Sequence, residues 1–230
     1  MKKYIALFIL LCSLQALAAG SNLVGNSGMI LTPTARMLPD GHFRFGYGQL
    51  PWPYTYIEQG EHDELFYHGS IAFLPFLELM FGIVNPLGRE WGIGDRTASI
   101  RIQVLKESEQ KPALVIGTQD PFGVVAQDWA QQMNTLYFVT SKSFSLPYVK
   151  EVNVHYGHGV DWLNAGVHYL QGPFGGVEWN AVPHTSLLAE YDGNKINLGV
   201  RGEAYNFQLL LVWLDGKTFT GGFSYRFLLK

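Results

Sequence analysis

The sequence predicts an all-β protein, a transmembrane antiparallel up-and-down β-barrel of about twelve strands, within a range of roughly 10–14. Three observations predict this fold. The N-terminus resembles a secretory signal peptide, the composition is poor in charge and rich in aromatic residues and glycine, and short alternating segments are separated by turns.

The N-terminal segment, residues 1–19, has the layout of a signal peptide. Lys2 and Lys3 precede an apolar run over residues 4–14, and small residues follow that run. The run is shorter than the roughly 20 residues that a membrane-spanning helix needs. We therefore expect export, with cleavage after Ala18 or Ala19.

A lipoprotein signal ending at Cys12 is the alternative for this segment. Leu10 and Leu11 precede the cysteine where small residues would be expected. Cys12 is the single cysteine of the chain, so removal of the signal would leave no thiol for a disulfide, for catalysis or for a soft metal.

The composition suits a barrel better than a soluble domain. Hydrophobic residues make up 47%, aromatic residues 14% and charged residues only 15%, and there are 26 glycines. Soluble domains usually carry about 25% charged residues. The net charge of −3 provides no global attraction for nucleic acid, so no nucleic-acid partner is expected.

Alternating segments give the strand positions. In the segment near the C-terminus, Phe219, Phe223, Tyr225 and Phe227 share one face, and threonine, glycine, serine and arginine occupy the other. The same period predicts strands near 42–49, 65–73, 76–84, 97–105, 113–119, 134–142, 150–157, 176–180, 185–191, 196–201, 206–214 and 218–227. Residues 166–172 are a candidate for one further hairpin arm.

A soluble β-sandwich or lipocalin-like barrel is the competing fold, because it alternates as well. Its solvent-facing side should be rich in Lys, Glu and Asp. Here the polar face holds Ser, Thr, Asn and Gly with scattered Arg and Glu, and the lysines concentrate in turns and at segment ends. This distribution favours the membrane barrel.

The domain prediction has three parts: a signal peptide at 1–19, a periplasmic lead-in or plug segment at 20–40, and an outer-membrane barrel at 41–230. The lead-in has no steady period up to Leu38, whereas strict alternation begins after Gly41. Segments 113–119, 134–142 and 206–214 are apolar on both faces, which a protein-packed lumen would explain. We expect the lead-in to plug or line the periplasmic mouth.

Loop lengths predict which end of the barrel faces outward. With both termini in the periplasm, the odd-numbered connections face the cell exterior and should be the longer ones. Four long connections are expected, over residues 50–64, 85–96, 120–133 and 158–175, with short links between them.

Charged and histidine side chains on the inward faces are the candidate site residues. Inside a narrow barrel, mixed charges form ion pairs that brace the wall, or they line a path for a hydroxyl-rich or acidic glycan. Aromatic residues of the outer loops could stack on sugar rings or form an interfacial girdle; they are Trp52, Tyr54, Tyr56, Trp91, Trp129 and Trp162. The lumen candidates are Arg36, Arg44, His68, Glu78, Arg101, His155, Glu178, Glu190, Arg201 and Arg226.

No motif predicts catalysis, a cofactor or a metal. His155 and His158 are close in sequence, and His62 is followed by two acids, but three or four converging ligands are not specified. Ser70 shares a face with His68, yet no Gly-x-Ser-x-Gly is present. The glycines at 172–176 lack the lysine and helix of a phosphate loop. We therefore predict a protein that is not an enzyme.

Five stretches resemble the YjbH/GfcD-like family of outer-membrane proteins, which are encoded with exopolysaccharide and capsule secretion systems. They are "GMILTPTARMLPDGHFRFGY" (28–47), "GDRTASIRIQVLKE" (94–107), "PALVIGTQDPFG" (112–123), "YFVTSKSF" (137–144) and "FGGVEW" with "LLAEYDG" (174–193). Family members are often several times longer, so the resemblance implies a compact, single-barrel member.

The resemblance implies a barrel that assists secretion or surface attachment of an exopolysaccharide or capsule, beside a separate export channel. It brings no catalytic residues. Expected partners are outer-membrane lipid, a polysaccharide, and periplasmic or outer-membrane components of a secretion system. Two alternatives stay open: a scaffold barrel that anchors a periplasmic or surface assembly, and a passive small-solute pore.

Overall fold

A computed structural model describes residues 19–55, 61–88, 95–121, 134–147, 149–162 and 170–229. The predicted signal peptide lies outside these residues apart from Ala19. Within the described ranges, no helix is long and apolar enough to cross a membrane.

Twelve antiparallel strands form one closed barrel in which each strand pairs with its sequence neighbours and β1 pairs with β12. The predicted all-β, up-and-down architecture is confirmed. The strands are β1 (His42–Leu50), β2 (Glu64–Leu74), β3 (Leu77–Pro86), β4 (Arg96–Leu105), β5 (Ala113–Gln119), β6 (Thr135–Leu146), β7 (Lys150–Val160), β8 (Gly172–Val182), β9 (Thr185–Tyr191), β10 (Ile196–Ala204), β11 (Phe207–Leu214) and β12 (Thr218–Leu228).

Each predicted strand overlaps an observed one, and the largest differences, of four residues, are at the end of β6 and the start of β8. β7 continues to Val160 and β8 begins at Gly172, so the predicted loop over 158–175 was too long. The Gly-Pro-Phe-Gly-Gly stretch is the start of β8, with Phe174 buried inside the barrel. Most of the candidate hairpin arm at 166–172 lies outside the described residues.

The two ends of the barrel differ in their connections. We call the end where β1 begins and β12 ends the proximal end, and the opposite end the distal end. Four connections at the distal end span 51–63, 87–95, 120–134 and 161–171, whereas most proximal links are as short as 75–76 and 183–184. The distal turns at 192–195 and 215–217 are tight.

The alternating pattern separates an apolar outer face from a largely polar inner face. β11 shows this most simply, because Phe207, Leu209, Leu211 and Trp213 are exposed and the residues between them are buried. The same alternation recurs around the wall, with charged residues such as Arg101 fully buried on the inside. Side chains that alternate along a strand point to opposite faces of the sheet, so these buried residues face the lumen.

Residues 19–38, which we call the plug segment, lie inside the barrel. Their hydrogen bonds reach inward-facing side chains of strands β1 to β7 and β9 to β11. Its apolar side chains pack against inward apolar residues of the wall in one buried cluster. From the segment these are Leu23, Val24, Met29, Ile30, Leu31 and Ala35; from the wall they include Val115, Val139, Leu210, Val212 and Leu214.

Candidate functional site

The inner surface of the wall and the plug segment together form the candidate site. Glu78 of β3 lies at one centre of it. Its carboxylate accepts hydrogen bonds from the Ser27 amide at 3.0 Å, the Ser27 hydroxyl at 2.9 Å and the Leu38 amide at 2.8 Å. Arg101 Nη1 donates to the same carboxylate at 2.9 Å, and Arg44 Nη2 lies 3.7 Å from it. This acid therefore joins the plug segment to strands β1, β3 and β4.

The two arginines of this centre also bind the plug segment directly. Arg44 donates to the carbonyls of Ala19 at 2.9 Å and Gly25 at 3.2 Å. Arg101 Nη2 donates to the carbonyls of Thr34 and Arg36. Both guanidiniums are almost completely buried, where an unpaired charge would be costly. Glu78 provides their counter-charge.

A second centre lies at Glu190, near the distal end of β9. Its carboxylate accepts hydrogen bonds from the amides of Ile30 at 3.0 Å, Leu31 at 2.8 Å and Thr32 at 3.2 Å. The Thr32 hydroxyl donates a fourth bond at 2.8 Å. Successive backbone N–H groups that converge in this way form a concave anion-binding site. Residues 30–32 therefore lie near the distal end of the barrel.

Two further side chains of the wall bind the backbone of the plug segment between residues 21 and 29. Arg201 bridges Glu178 at 3.0 Å and the carbonyls of Gly28 and Met29, the latter at 2.9 Å. Gln208 accepts from the Ser21 amide at 2.7 Å and donates to the Ser21 carbonyl at 2.8 Å. The amide of Gln208 thus pairs with one residue of backbone as a neighbouring strand would.

Residues 33–38 of the plug segment return to the proximal end, and Ala35 and Arg36 contact β6 and β7 on the way. The Ala35 amide donates to Ser141 Oγ at 2.7 Å, and this hydroxyl also contacts His155 Nδ1 at 2.7 Å. Arg36 donates to Ser143 Oγ at 2.6 Å and to Asn153, and lies 3.4 Å from Glu151. The plug segment therefore enters and leaves through the same end of the barrel.

Two glycines allow the plug segment to approach the wall closely. Gly25 has φ of +82°, and a Cβ there would lie 2.4 Å from the His68 ring. A Cβ on Gly48 of β1 would lie 2.2 Å from the Leu23 carbonyl oxygen. Distances this short are excluded by van der Waals repulsion, so a larger residue at either position would displace the segment.

The structure places the candidate lumen residues in two groups. Arg36 belongs to the plug segment, and the nine wall residues face inward. Eight of these nine are buried, whereas Arg226 is partly exposed at the proximal end, where it lines a cavity of about 20 Å³ with Arg44 and Glu203. Uncharged anchors such as Ser141 and Gln208 were not among the candidates, although strand alternation already places them on the inner face.

The residues considered for chemistry have structural contacts. Ser70 Oγ donates to the Gly25 carbonyl at 2.6 Å. His155 faces the lumen, whereas His158 stacks on Phe138 on the outer face. In the part of the chain that the structure describes, no group of three or more His, Cys, Asp or Glu side chains is placed to hold a metal ion.

The distal end carries the described members of the loop aromatics. Trp52 and Trp162 are exposed, whereas Tyr54 packs against the buried cluster and has Lys195 Nζ 4.3 Å from its ring centre. Burial, together with the charges of Asp215 and Asp192, raises the pKa of Tyr54 to about 12. Tyr56, Trp91 and Trp129 lie outside the described residues.

The fold and its lumen define the class: a single-chain, twelve-stranded β-barrel that is filled by its own N-terminal segment. Residues 21–168 match the YjbH family model, described as "Exopolysaccharide biosynthesis protein YbjH". This match covers more than half of the chain, so the chain belongs to that family. It also includes most of the plug segment and strands β1 to β7. A comparison with curated proteins found no match.

Proposed function

We propose that this chain is an outer-membrane barrel that assists secretion or surface attachment of an exopolysaccharide without conducting the polymer itself. Family membership supports the link to exopolysaccharide. The observation that carries the accessory role is the plug segment, whose apolar side chains from Leu23 to Ala35 are buried in the lumen. A glycan chain could not share that space unless the plug segment moved out.

The outer face of the barrel supports the membrane location. Large apolar side chains are exposed on the outward face of strand after strand, and Phe81, Ile196 and Phe219 are each at least 60% exposed. Soluble monomers rarely expose contiguous apolar patches beyond a few hundred Å². We propose that outer-membrane lipid covers this band, with both chain ends on the periplasmic side.

The inner charges support an accessory role over a glycan-binding channel. Glu78, Glu190, Arg44, Arg101 and Arg201 all bind backbone groups of the plug segment. Most of their hydrogen-bonding capacity is therefore used within the chain, and only the Nε atoms of the three arginines have no partner among the described residues. Polysaccharide and secretion-system proteins would meet the barrel at its ends, beside a separate export channel, and no catalytic step is assigned to this chain.

The test is deletion of the gene in its native host, followed by measurement of the amount, chain length and cell attachment of the surface polysaccharide. We expect at least one of these to change and to be restored by the wild-type gene. If all three were unchanged in the deletion strain, the proposal would be wrong.

A scaffold barrel is the second candidate. The lumen is filled by the plug segment, which hydrogen-bonds to the wall, and this favours a scaffold over a pore. Crosslinking in cells followed by purification separates the two functions, because a scaffold should retain protein partners in stoichiometric amounts. A passive pore requires conductance in planar bilayers. We expect the wild-type barrel to stay closed there.

A further inference from the structure

A second recess lies at the proximal end, outside the space that the plug segment fills. It is a cavity of about 240 Å³, lined by Glu151, Asn180, Val182, Pro183, His184, Thr185 and Ser186. Drug-sized ligands occupy pockets of about 300–1,000 Å³. This cavity therefore has the size for one small ring.

The cavity exists because the wall is irregular at this point. The register between β8 and β9 shifts between Trp179 and Val182, so that residues 180 and 181 stand opposite Ser186 alone, and pairing resumes at Val182 with Thr185. His184, in the turn that follows, has a positive φ of 65°. This bulge and the turn border a polar recess at the proximal end.

The polar groups around the recess are only partly satisfied. Asn180 Oδ1 accepts from Ser186 Oγ at 2.7 Å. Among the described residues, Asn180 Nδ2 has no hydrogen-bond partner although it is buried. Glu151 lies opposite Asn180 in the strand pairing, so a carboxylate and this amide share the recess. Buried polar groups are normally hydrogen-bonded, so a ligand is expected to pair with this amide.

We propose that this proximal cavity is a binding subsite for one neutral sugar ring. Glu151, Asn180 and Ser186 offer an acceptor, a free amide donor and a hydroxyl to ring hydroxyls, and Val182 and Pro183 offer an apolar wall to the C–H face of the ring. The carboxylate of Glu151 disfavours a uronic acid, although its ion pair with Arg36 at 3.4 Å weakens that repulsion. The inference rests on the proposed function, because it identifies the site at which the accessory barrel contacts the glycan.

The experiment uses the full barrel in detergent and ligand-observed saturation-transfer NMR. The probes are glucose, galactose, mannose, N-acetylglucosamine and glucuronic acid. We expect saturation transfer to at least one neutral sugar and weaker transfer to glucuronic acid. Asn180→Leu should abolish the signal, because it removes the unpaired donor and keeps the side-chain size. The matched control Asn206→Leu, in the next proximal turn, should retain it.

Two further variants keep the test decisive if Asn180→Leu does not fold. Glu151→Gln keeps the shape and removes the charge, and it should weaken sugar binding about fivefold, as expected for one weakened hydrogen bond. His184→Gly removes a lining side chain at a backbone conformation that glycine prefers, and it should also weaken binding. Folding is checked by heat-dependent electrophoretic mobility.

Absence of transfer to all five sugars would overturn the subsite, as would equal transfer in wild type and all three cavity variants, or a preference for glucuronic acid. The proposed function fails separately, if gene deletion leaves the surface polysaccharide unchanged. A barrel that binds no free sugar but whose deletion alters the polysaccharide would retain the accessory role without this subsite.

Discussion

Glu78→Ala is the perturbation that acts most directly on the plug segment. In the wild-type barrel this carboxylate accepts three hydrogen bonds from Ser27 and Leu38 at 2.8–3.0 Å and provides the counter-charge for two buried arginines. In the variant, Arg44 and Arg101 would remain inside with like charges and without their acid. Once the plug segment has left, water can solvate both arginines, so the cost falls on the plugged state.

The size of this effect follows from the burial of the groups. Glu78 and Arg101 have 0% exposed side chains and Arg44 has 3%. Removing one partner of a buried ion pair costs about 3–5 kcal/mol, which corresponds to an increase of about 10²- to 4 × 10³-fold in the released fraction. The wall itself should persist, because its strand pairing does not depend on this carboxylate.

Planar-bilayer recording and limited proteolysis measure this release. We expect Glu78→Ala to open intermittently and to be cleaved within residues 19–38, whereas the wild type stays closed and intact. The matched control is Glu203→Ala, an inward-facing acid of β10 whose carboxylate forms no hydrogen bond with the plug segment within the described ranges. If Glu78→Ala were as closed and as resistant as Glu203→Ala, the anchoring role of Glu78 would be refuted.

Three further predictions concern single residues. Gly48→Val should displace the plug segment and increase its proteolysis, because a Cβ would lie 2.2 Å from the Leu23 carbonyl oxygen, whereas Gly202→Val, with nothing within 4 Å of its Cβ, should not. Glu190→Gln should speed amide exchange at residues 30–32 about tenfold, because it directs one donor at backbone donors; unchanged exchange would contradict this. The pKa of Tyr54, about 12 against a usual 10.0, predicts at least one late tyrosine in an absorbance titration. Because this folded-state pKa is raised, its stabilisation is complete below pH 10 and is lost as the pH rises towards 12; titration of all tyrosines near 10 would exclude it.

The strands were predictable because their signal is local. A side-chain period of two, such as Phe43, Phe45 and Tyr47 against Arg44, requires no knowledge of the partner strand. The prediction was weakest around β8, where Gly172, Pro173 and neighbouring glycines look like a turn. Their role in a strand depends on Phe174, which packs inside the barrel against Tyr137 with ring centres 6.2 Å apart. That contact comes from a distant part of the chain.

The sequence indicated which charged side chains point into the lumen, but it did not indicate which of them form ion pairs with each other. Alternation places Glu78 and Arg101 on the inner face, and their register opposes them on β3 and β4. The connection between these strands is long, so no tight turn fixes that register in the sequence. Arg44 reaches the same acid from β1, which is not a neighbour of β3. Curvature of the closed wall brings these residues together.

The conformation of the plug segment could not be predicted, because it has no period. Its backbone is held by two isolated bridges, Ser21 with Ser27 and Gly28 with Pro33, and by side chains of the wall. Only the apolar inward faces of segments such as 206–214 indicated that something packs in the lumen. They indicated its presence and its apolar character, whereas its path depends on anchors on ten strands.

Amide hydrogen exchange of the purified wild-type barrel, resolved by residue, measures directly whether the plug segment occupies the lumen. We expect the amides of Ser27, Ile30, Leu31, Ala35 and Leu38 to exchange as slowly as those of the wall strands, because each donates to a buried wall side chain. Fast exchange of all five while the strands stay protected would contradict it, because the lumen would then be free of its plug segment.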